Sequence, residues 1–210
     1  MYQMENRYMI YIKELILMKC ALCKQNNCYT GQNCTGLQSA EIEAAYDPID
    51  RQLMTAAAKV EGRYYMQLSR LEESVKFAQE MSCTVIGLAF CIGLATEANY
   101  IGQYFQKFFT VHSVCCKVCG LDKHQLGLEQ IQADRFEAMC NPAIQAKLLN
   151  DAKTELNFAV GLCVGHDMIF NRHSTAPVST LIAKDRLLSH NPLGAIYSSY
   201  WRNKRLGLTD

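Results

Sequence analysis

Four of the chain's eleven cysteines lie within one short polar segment, in the pattern C-x2-C-x4-C-x5-C. A C-x2-C turn lets two thiolates reach one metal ion, and two further thiolates a short loop away complete four-fold coordination. The glycines and asparagines between the cysteines favour turns rather than core packing. The segment therefore predicts a metal-binding loop, with the ligand set Cys20, Cys23, Cys28 and Cys34.

The cofactor of this loop stays open between zinc and an iron–sulfur cluster such as 4Fe–4S, because four thiolates suit either. Tyr29 could stack on a nucleic-acid base, but Lys19 and Lys24 are the nearby positive charges. Two lysines make too short a track for phosphates, so we do not expect nucleic-acid binding.

The elements that would position the remaining cysteines are strands and helices in alternation. Four apolar runs are predicted to be β-strands: residues 84–90, 110–116, 156–162 and 178–184. Amphipathic helices between the runs predict a mostly parallel sheet in a layered α/β domain. The carboxyl ends of parallel strands meet at one edge, where helix N-termini stabilise anions and thiolates.

Several cysteines fall at this predicted edge. Three of them close predicted strands, and Cys140 precedes an Asn-Pro helix start, with the asparagine as the expected cap. The predicted second thiolate site consists of Cys91, Cys116, Cys140 and Cys163. Cys115 and Cys119 could replace or join these ligands. The alternative is that these cysteines are core thiols, the interpretation that we adopt for Cys83.

Each polar residue beside these cysteines has both a functional and a structural interpretation. His166 could ligate a metal, shuttle protons or only support the turn, and Asp167 could tune the site or cap a helix. Lys117 could lower the pKa of a thiol or pair with an anionic substrate. The triplet 184–186 (Lys-Asp-Arg) could line the same edge or form a solvated charge cluster.

The whole chain fits one compact α/β domain with a small additional module, since it has 210 residues and is 50% hydrophobic. A long helix is predicted from Asp47 to Met81, because apolar residues recur there at intervals of three and four. The expected organisation is a non-native or poorly ordered extension at 1–17, the metal-binding loop at 18–46 and the α/β domain with its N-terminal helix at 47–210.

Composition and motifs narrow the class of protein further. A net charge of +1 gives no bulk field for nucleic acid or an anionic membrane, and no apolar run of 18 residues predicts a membrane span. The first residues do not resemble a signal peptide, and an odd cysteine count suits metal ligation or redox chemistry in the cytoplasm better than structural disulfides. Nucleotide-binding loops, the nucleophile-elbow motif and the HExxH motif are missing from the sequence.

The sequence also resembles a known family. The resemblance rests on the segments MKCALC, LAFCIGLATEA, SVCCKVCGLDK, MCNPAIQAKLLN, LNFAVGLCVGHDMIF and STAPVSTLIAKDRLLSHNP. They look like an uncharacterised metal-binding family of bacteria and archaea, domain of unknown function 1847, frequent in anaerobes. This resemblance implies metal binding through cysteines and no established reaction.

Two functions are consistent with these observations. The first is a metal or iron–sulfur protein with a redox or sulfur-related role, acting with a redox partner or a small-molecule substrate. The second is a zinc-stapled binding or regulatory module without catalytic activity. The sequence leaves open whether the protein is an enzyme and which oligomer it forms.

Overall fold

A computed structural model describes residues 19–208 of the chain. Their contacts divide into two compact units, one ending at Arg51 and the other beginning at Gln52. The extension predicted at residues 1–17 lies outside the described residues. None of the described helices is both long and apolar enough to cross a membrane.

The described part of the first unit contains short turns, one short helix and the first turn of a longer helix that continues into the second unit. The 3-10 turns Cys20–Leu22 and Asn27–Thr30 hold the N-terminal cysteines, and helix α1 spans Ser39–Ala44. Helix α2, Pro48–Tyr64, begins as the Asp47-Pro48 signal predicts. Its first turn is capped because the Asp47 carboxylate accepts a hydrogen bond from the Asp50 backbone N–H at 2.9 Å.

The long helix predicted after Asp47 is divided into two helices. Helix α3 spans Arg70–Glu80, and residues between it and α2 form a turn in which Met66 has a left-handed φ of 57°. Ser69 and Glu72 form a capping box, with the Ser69 N–H donating to the Glu72 carboxylate at 2.8 Å. Such a Ser-x-x-Glu pattern starts a helix, so the periodicity continues across a real helix boundary.

The second unit contains a parallel sheet, as the sequence predicts. Its strands are β1 Val85–Phe90, β2 Thr110–Cys115, β3 Leu156–Val160 and β4 Val178–Ile182. The strand order is β2-β1-β3-β4, and each neighbouring pair is parallel. The two central strands are nearly fully buried, which explains their continuous apolar sequences.

Helices connect the strands and complete the layered α/β fold. They are α4 Ala95–Phe105, α5 Pro142–Asp151, α6 His166–His173 and α7 Gly194–Tyr197, followed by a π-helical turn at Tyr200–Arg205. Phe105 of α4 and Phe158 of β3 are buried with their ring centroids 5.2 Å apart. This packing fixes the central strands, and therefore the loops that leave their carboxyl ends.

A buried amide ties α5 to those strand ends. Gln145 is fully buried, and its Nε2 donates hydrogen bonds to the carbonyls of Val114 at 2.7 Å and Phe90 at 3.3 Å. These carbonyls stand at the ends of β2 and β1, directly before the cysteines that follow. The start of α5 is therefore held against the same edge of the sheet.

Candidate thiolate site

Cys91 and Cys116 stand one residue beyond the paired ends of β1 and β2. The Cys91 N–H donates to the Val160 carbonyl at 3.0 Å, and the Cys116 N–H donates to the Phe90 carbonyl at 2.8 Å. Both residues are buried, at 7% and 3% of their surface exposed. The sheet ladder thus continues through both cysteines and places them on neighbouring strands.

Cys140 reaches the same edge through the residue that follows it. The Asn141 N–H donates to the Cys116 carbonyl at 2.7 Å, and its side-chain amide donates to the Val118 carbonyl at 2.6 Å. Asn141 occupies the N-cap position of α5, as predicted, but its side chain makes no hydrogen bond to that helix. Its amide instead binds the loop after β2 to the start of α5, beside Cys116.

Cys163 follows β3 after a tight turn. Gly161 has a left-handed φ of 62°, and its N–H donates to the Ile182 carbonyl at 2.8 Å. The carbonyl of Cys163 accepts from the His166 and Asp167 N–H groups at 2.9 and 3.0 Å, which starts α6. The Asp167 carboxylate accepts from the Gly165 and Met168 N–H groups, so its structural interpretation as a cap applies.

Hydrogen-bond donors of the flanking loops contact the sulfurs of Cys163, Cys91 and Cys116 directly. Arg186 Nη2 lies 2.9 Å from Cys163 Sγ, and Lys184 Nζ lies 3.3 Å from Cys91 Sγ. The backbone N–H of Ile92 donates to Cys116 Sγ at 3.3 Å. Lys184 and Arg186 therefore line the edge, which is the first of the two interpretations given for the triplet 184–186. The carboxylate of Asp185, between them, accepts hydrogen bonds from the Leu187 and Leu188 N–H groups.

Cys116 and Cys140 interact electrostatically. The Cys116 thiol, as the largest influence, lowers the pKa of Cys140 to about 5, and the nearby Lys117 and His166 side chains contribute to that decrease. The same interaction raises the pKa of Cys116, and burial adds to that rise. At neutral pH the pair therefore carries a thiolate on Cys140 and a thiol on Cys116.

The charged neighbours of Cys140 come from both flanking loops. The ammonium of Lys117 donates a short hydrogen bond to the Ala138 carbonyl, which holds it near Cys140. His166 is half-buried at the start of α6. Contact with Cys163 raises the pKa of Arg186, and the electrostatic influence of Cys91 and Cys140 adds to it. One guanidinium thus interacts with three of the four cysteines.

The other predicted participants lie apart from these sulfur contacts. Cys115 is half-buried, and its sulfur accepts the Lys117 N–H at 3.5 Å. Cys119 is exposed on a turn with a left-handed φ of 73°. Burial raises the pKa of Cys83, and the charge of Glu155 adds to the rise. Cys83 also packs against the hydrophobic core, in agreement with its interpretation as a core thiol.

The N-terminal cysteines form an exposed group in the first unit. All four are solvent-exposed free thiols. The Cys23 sulfur accepts the Asn26 N–H at 3.5 Å, and backbone N–H groups of Asn26 and Gln25 lower the pKa of Cys23. Backbone amides directed at a sulfur favour its thiolate form, the form that binds metals.

The donor chemistry of both cysteine groups suits a soft metal, since thiolates select zinc and iron–sulfur clusters. Between Lys19 and Leu208, however, no set of three or more His, Cys, Asp or Glu side chains is arranged to hold a metal ion. Both predicted ligand sets therefore stay predictions.

Two contributors to the edge carry weak sequence signals. Gln145 is a polar residue on the apolar side of α5, in line with Leu149, which is the signal that could have identified it. Gly93 is an ordinary turn glycine by sequence. A Cβ at Gly93 would lie 3.2 Å from Lys184 Nζ and 3.9 Å from Cys91 Sγ, so glycine leaves room for that contact.

The fold and this site define a cysteine-rich, parallel α/β protein with thiols gathered at the carboxyl edge of its sheet. The chain belongs to the family described as "Protein of unknown function (DUF1847)", whose profile matches residues 28–181. It is 45% identical over 190 residues to an uncharacterized protein of Methanocaldococcus jannaschii, covering 90% of this chain and 98% of that protein. No solved structure gives a significant match. The family resemblance is thereby confirmed.

Proposed function

We propose that this protein carries out redox or sulfur-handling chemistry with the thiols of the sheet edge. The observation that supports this proposal is the gathering of sulfurs and cations at the sheet edge: Lys184 lies 3.3 Å from Cys91 Sγ, Arg186 lies 2.9 Å from Cys163 Sγ, and Asn141 binds the Cys116 backbone beside Cys140. There Cys116 lowers the pKa of Cys140 and favours its thiolate. Pairs of this type supply a nucleophilic sulfur and a second sulfur that resolves the product.

The surroundings of Cys140 differ from those of a core cysteine in the same chain. Burial raises the pKa of Cys83, because an apolar environment disfavours the thiolate. Cys140 is also partly buried, yet Cys116 and Lys117 hold its pKa below the usual value. Packing alone does not require positive charges around a sulfur, so these contacts favour a chemical role.

The pair has the parts for thiol–disulfide exchange with an external disulfide. The Cys140 thiolate attacks one sulfur of that disulfide, forms a mixed disulfide and releases the other half as a thiolate. Cys116 then attacks Cys140 Sγ, loses its proton to solvent and displaces the second half. The pair gives up two electrons and becomes a disulfide, while the external disulfide is reduced to two thiols.

Oxidised glutathione, followed by alkylation and peptide mass spectrometry, tests this proposal on the reduced, metal-free full chain. We expect a disulfide between Cys116 and Cys140 and its loss in Cys140→Ser. Cys83→Ser is the matched control, because it removes one half-buried thiol distant from the pair, and the disulfide should persist there. Unmodified Cys116 and Cys140, or equal modification of all cysteines, would contradict the proposal.

A metal-binding function is the second candidate, supported by the thiolate-favouring contacts of Cys23. Zinc or an iron–sulfur cluster would be held by the loop cysteines 20, 23, 28 and 34 and, at a second site, by the edge cysteines 91, 116, 140 and 163. A cluster would supply one-electron transfer, whereas zinc would only hold the loop in place.

A further inference from the structure

We propose that the substrate of the edge cysteines is a small anion, held by Lys117, Lys184 and Arg186. This inference rests on the proposed function, since it names the class of molecule on which those thiols act. The observation that supports this inference is a group of positively charged side chains that lie beside the edge sulfurs and form no ion pair with a carboxylate among the described residues.

The three cations leave their charge uncompensated by acidic side chains. Across residues 19–208, no ion pair includes Lys117, Lys184 or Arg186. Glu137 feels the charge of Lys117 but pairs with Lys123 at 2.8 Å.

The acids of the same loops are occupied by the backbone. Asp167 accepts hydrogen bonds from the N–H groups at the start of α6, and Asp185 accepts from the two N–H groups of the turn that follows it. Neither aspartate forms an ion pair with these cations. The three cations exceed the single thiolate charge of Cys140, and an anionic ligand would supply further negative charge.

The geometry of these cations suits an oxyanion beside the sulfurs. Arg186 is exposed, and its Nη2 donates a hydrogen bond to Cys163 Sγ. Among the described residues, Cys163 is the hydrogen-bond partner of this guanidinium. Its other N–H donors can take a carboxylate or oxyanion in the forked manner typical of arginine.

Partial burial strengthens the attraction of these groups for an anion. Lys117 and Lys184 are half-buried, so solvent and salt screen their charges less than the charges of fully exposed lysines. Lys184 reaches Cys91 over Gly93, where the absence of a side chain makes room for the Lys184 ammonium beside the sulfur. A small anion bound there would contact cations and thiols together.

A pair of alkylating reagents that differ mainly in charge tests this inference. Iodoacetate and iodoacetamide react with the same thiolates, but only iodoacetate is anionic. In the reduced full chain we expect the ratio of iodoacetate to iodoacetamide rates at Cys140 to exceed the ratio at exposed Cys28 on the order of tenfold. High salt should reduce this preference, since it screens the attraction.

Charge variants identify the groups responsible. Arg186→Gln and Lys184→Gln should each lower the ratio at Cys140 several-fold, while Lys147→Gln, which removes an exposed lysine of α5, should leave it unchanged. Circular dichroism checks that each variant is folded. If one of the two edge variants, Arg186→Gln or Lys184→Gln, fails to fold, the other still tests the inference.

The outcomes separate this inference from the proposed function. Rapid reaction of Cys140 with iodoacetamide but no preference for iodoacetate would overturn the anionic substrate and leave the reactive thiol in place. A preference that survives in both edge variants would also overturn it. If neither reagent modifies Cys140 in the folded chain, the proposed function fails and the inference fails with it.

Discussion

Cys140 is the residue whose chemistry is most sensitive to its neighbours. The thiol of Cys116, together with Lys117 and His166, lowers the pKa of Cys140 to about 5 from an ordinary value of 9.0. Its alkylation rate in metal-free protein should therefore rise through about pH 5 and level off below neutrality. Because the pKa is lower in the folded state, the stabilisation that the thiolate provides is complete above the ordinary pKa of 9.0 and is lost as the pH falls through the folded-state value of about 5.

Substitution of Cys116 tests whether that residue is the cause of the lowered pKa of Cys140. Cys116→Ala removes the thiol that hydrogen-bonds the thiolate, so the midpoint for Cys140 should move upward, while Lys117 and His166 keep it below the ordinary pKa. Cys83→Ser should not move it. A midpoint near 9.0 in the parent protein would show that Cys116 and Lys117 do not lower the pKa of Cys140.

Turn conformation, at the scale of elements, decides whether Cys163 reaches the edge. Gly161 has a φ of 62°, and a Cβ there would lie 2.7 Å from Leu94 Cδ1. Leu94 is 1% exposed and cannot move freely, so Gly161→Ala should destabilise the protein by about 1–3 kcal/mol. Urea unfolding measures this free energy.

A second glycine provides a control of opposite sign. Gly62 lies inside α2 with no atom within 4 Å of an added Cβ, so Gly62→Ala should stabilise the protein by about 0.5–1 kcal/mol. If both substitutions change stability equally, the turn conformation of Gly161 does not carry the predicted strain.

The elements themselves were largely predictable because strand and helix signals are local. Apolar runs and the Asn-Pro start placed the strands and α5 within a few residues, and the parallel topology brings the strand ends that precede Cys91, Cys116 and Cys163 to one edge. Helix periodicity was less decisive, since apolar spacing continued across the break at Met66. There the capping box at Ser69 was the better signal.

The side-chain contacts of the edge could not be derived in the same way. Which cation meets which sulfur depends on how the loops after β2, β3 and β4 fold back, and neither propensity nor periodicity describes that path. The contact of Arg186 with Cys163 and the influence of Cys116 on the pKa of Cys140 are therefore features of tertiary structure. The sequence identified the candidate cysteines and cations, but only the tertiary packing determines which cation contacts which sulfur.

At the scale of the whole molecule, the two cysteine groups lie in separate compact units, which makes their metal content separable. If the metal-binding function holds, the anaerobically purified full chain should contain zinc, or iron with acid-labile sulfide. Cys28→Ser should reduce the metal of the loop, whereas Cys163→Ala should reduce only metal held at the sheet edge.

Metal and sulfide analysis of the full chain and these two variants distinguishes the sites, with Cys83→Ser as the variant that should change neither. Brown protein with iron and sulfide would favour a cluster, whereas colourless protein with about one zinc per chain would favour the stapled loop. Metal content unchanged in Cys163→Ala would remove the edge from the metal-binding residues. The edge thiols would then be available for the exchange chemistry proposed for Cys140 and Cys116, because a thiolate bound to a metal is not free to attack a disulfide.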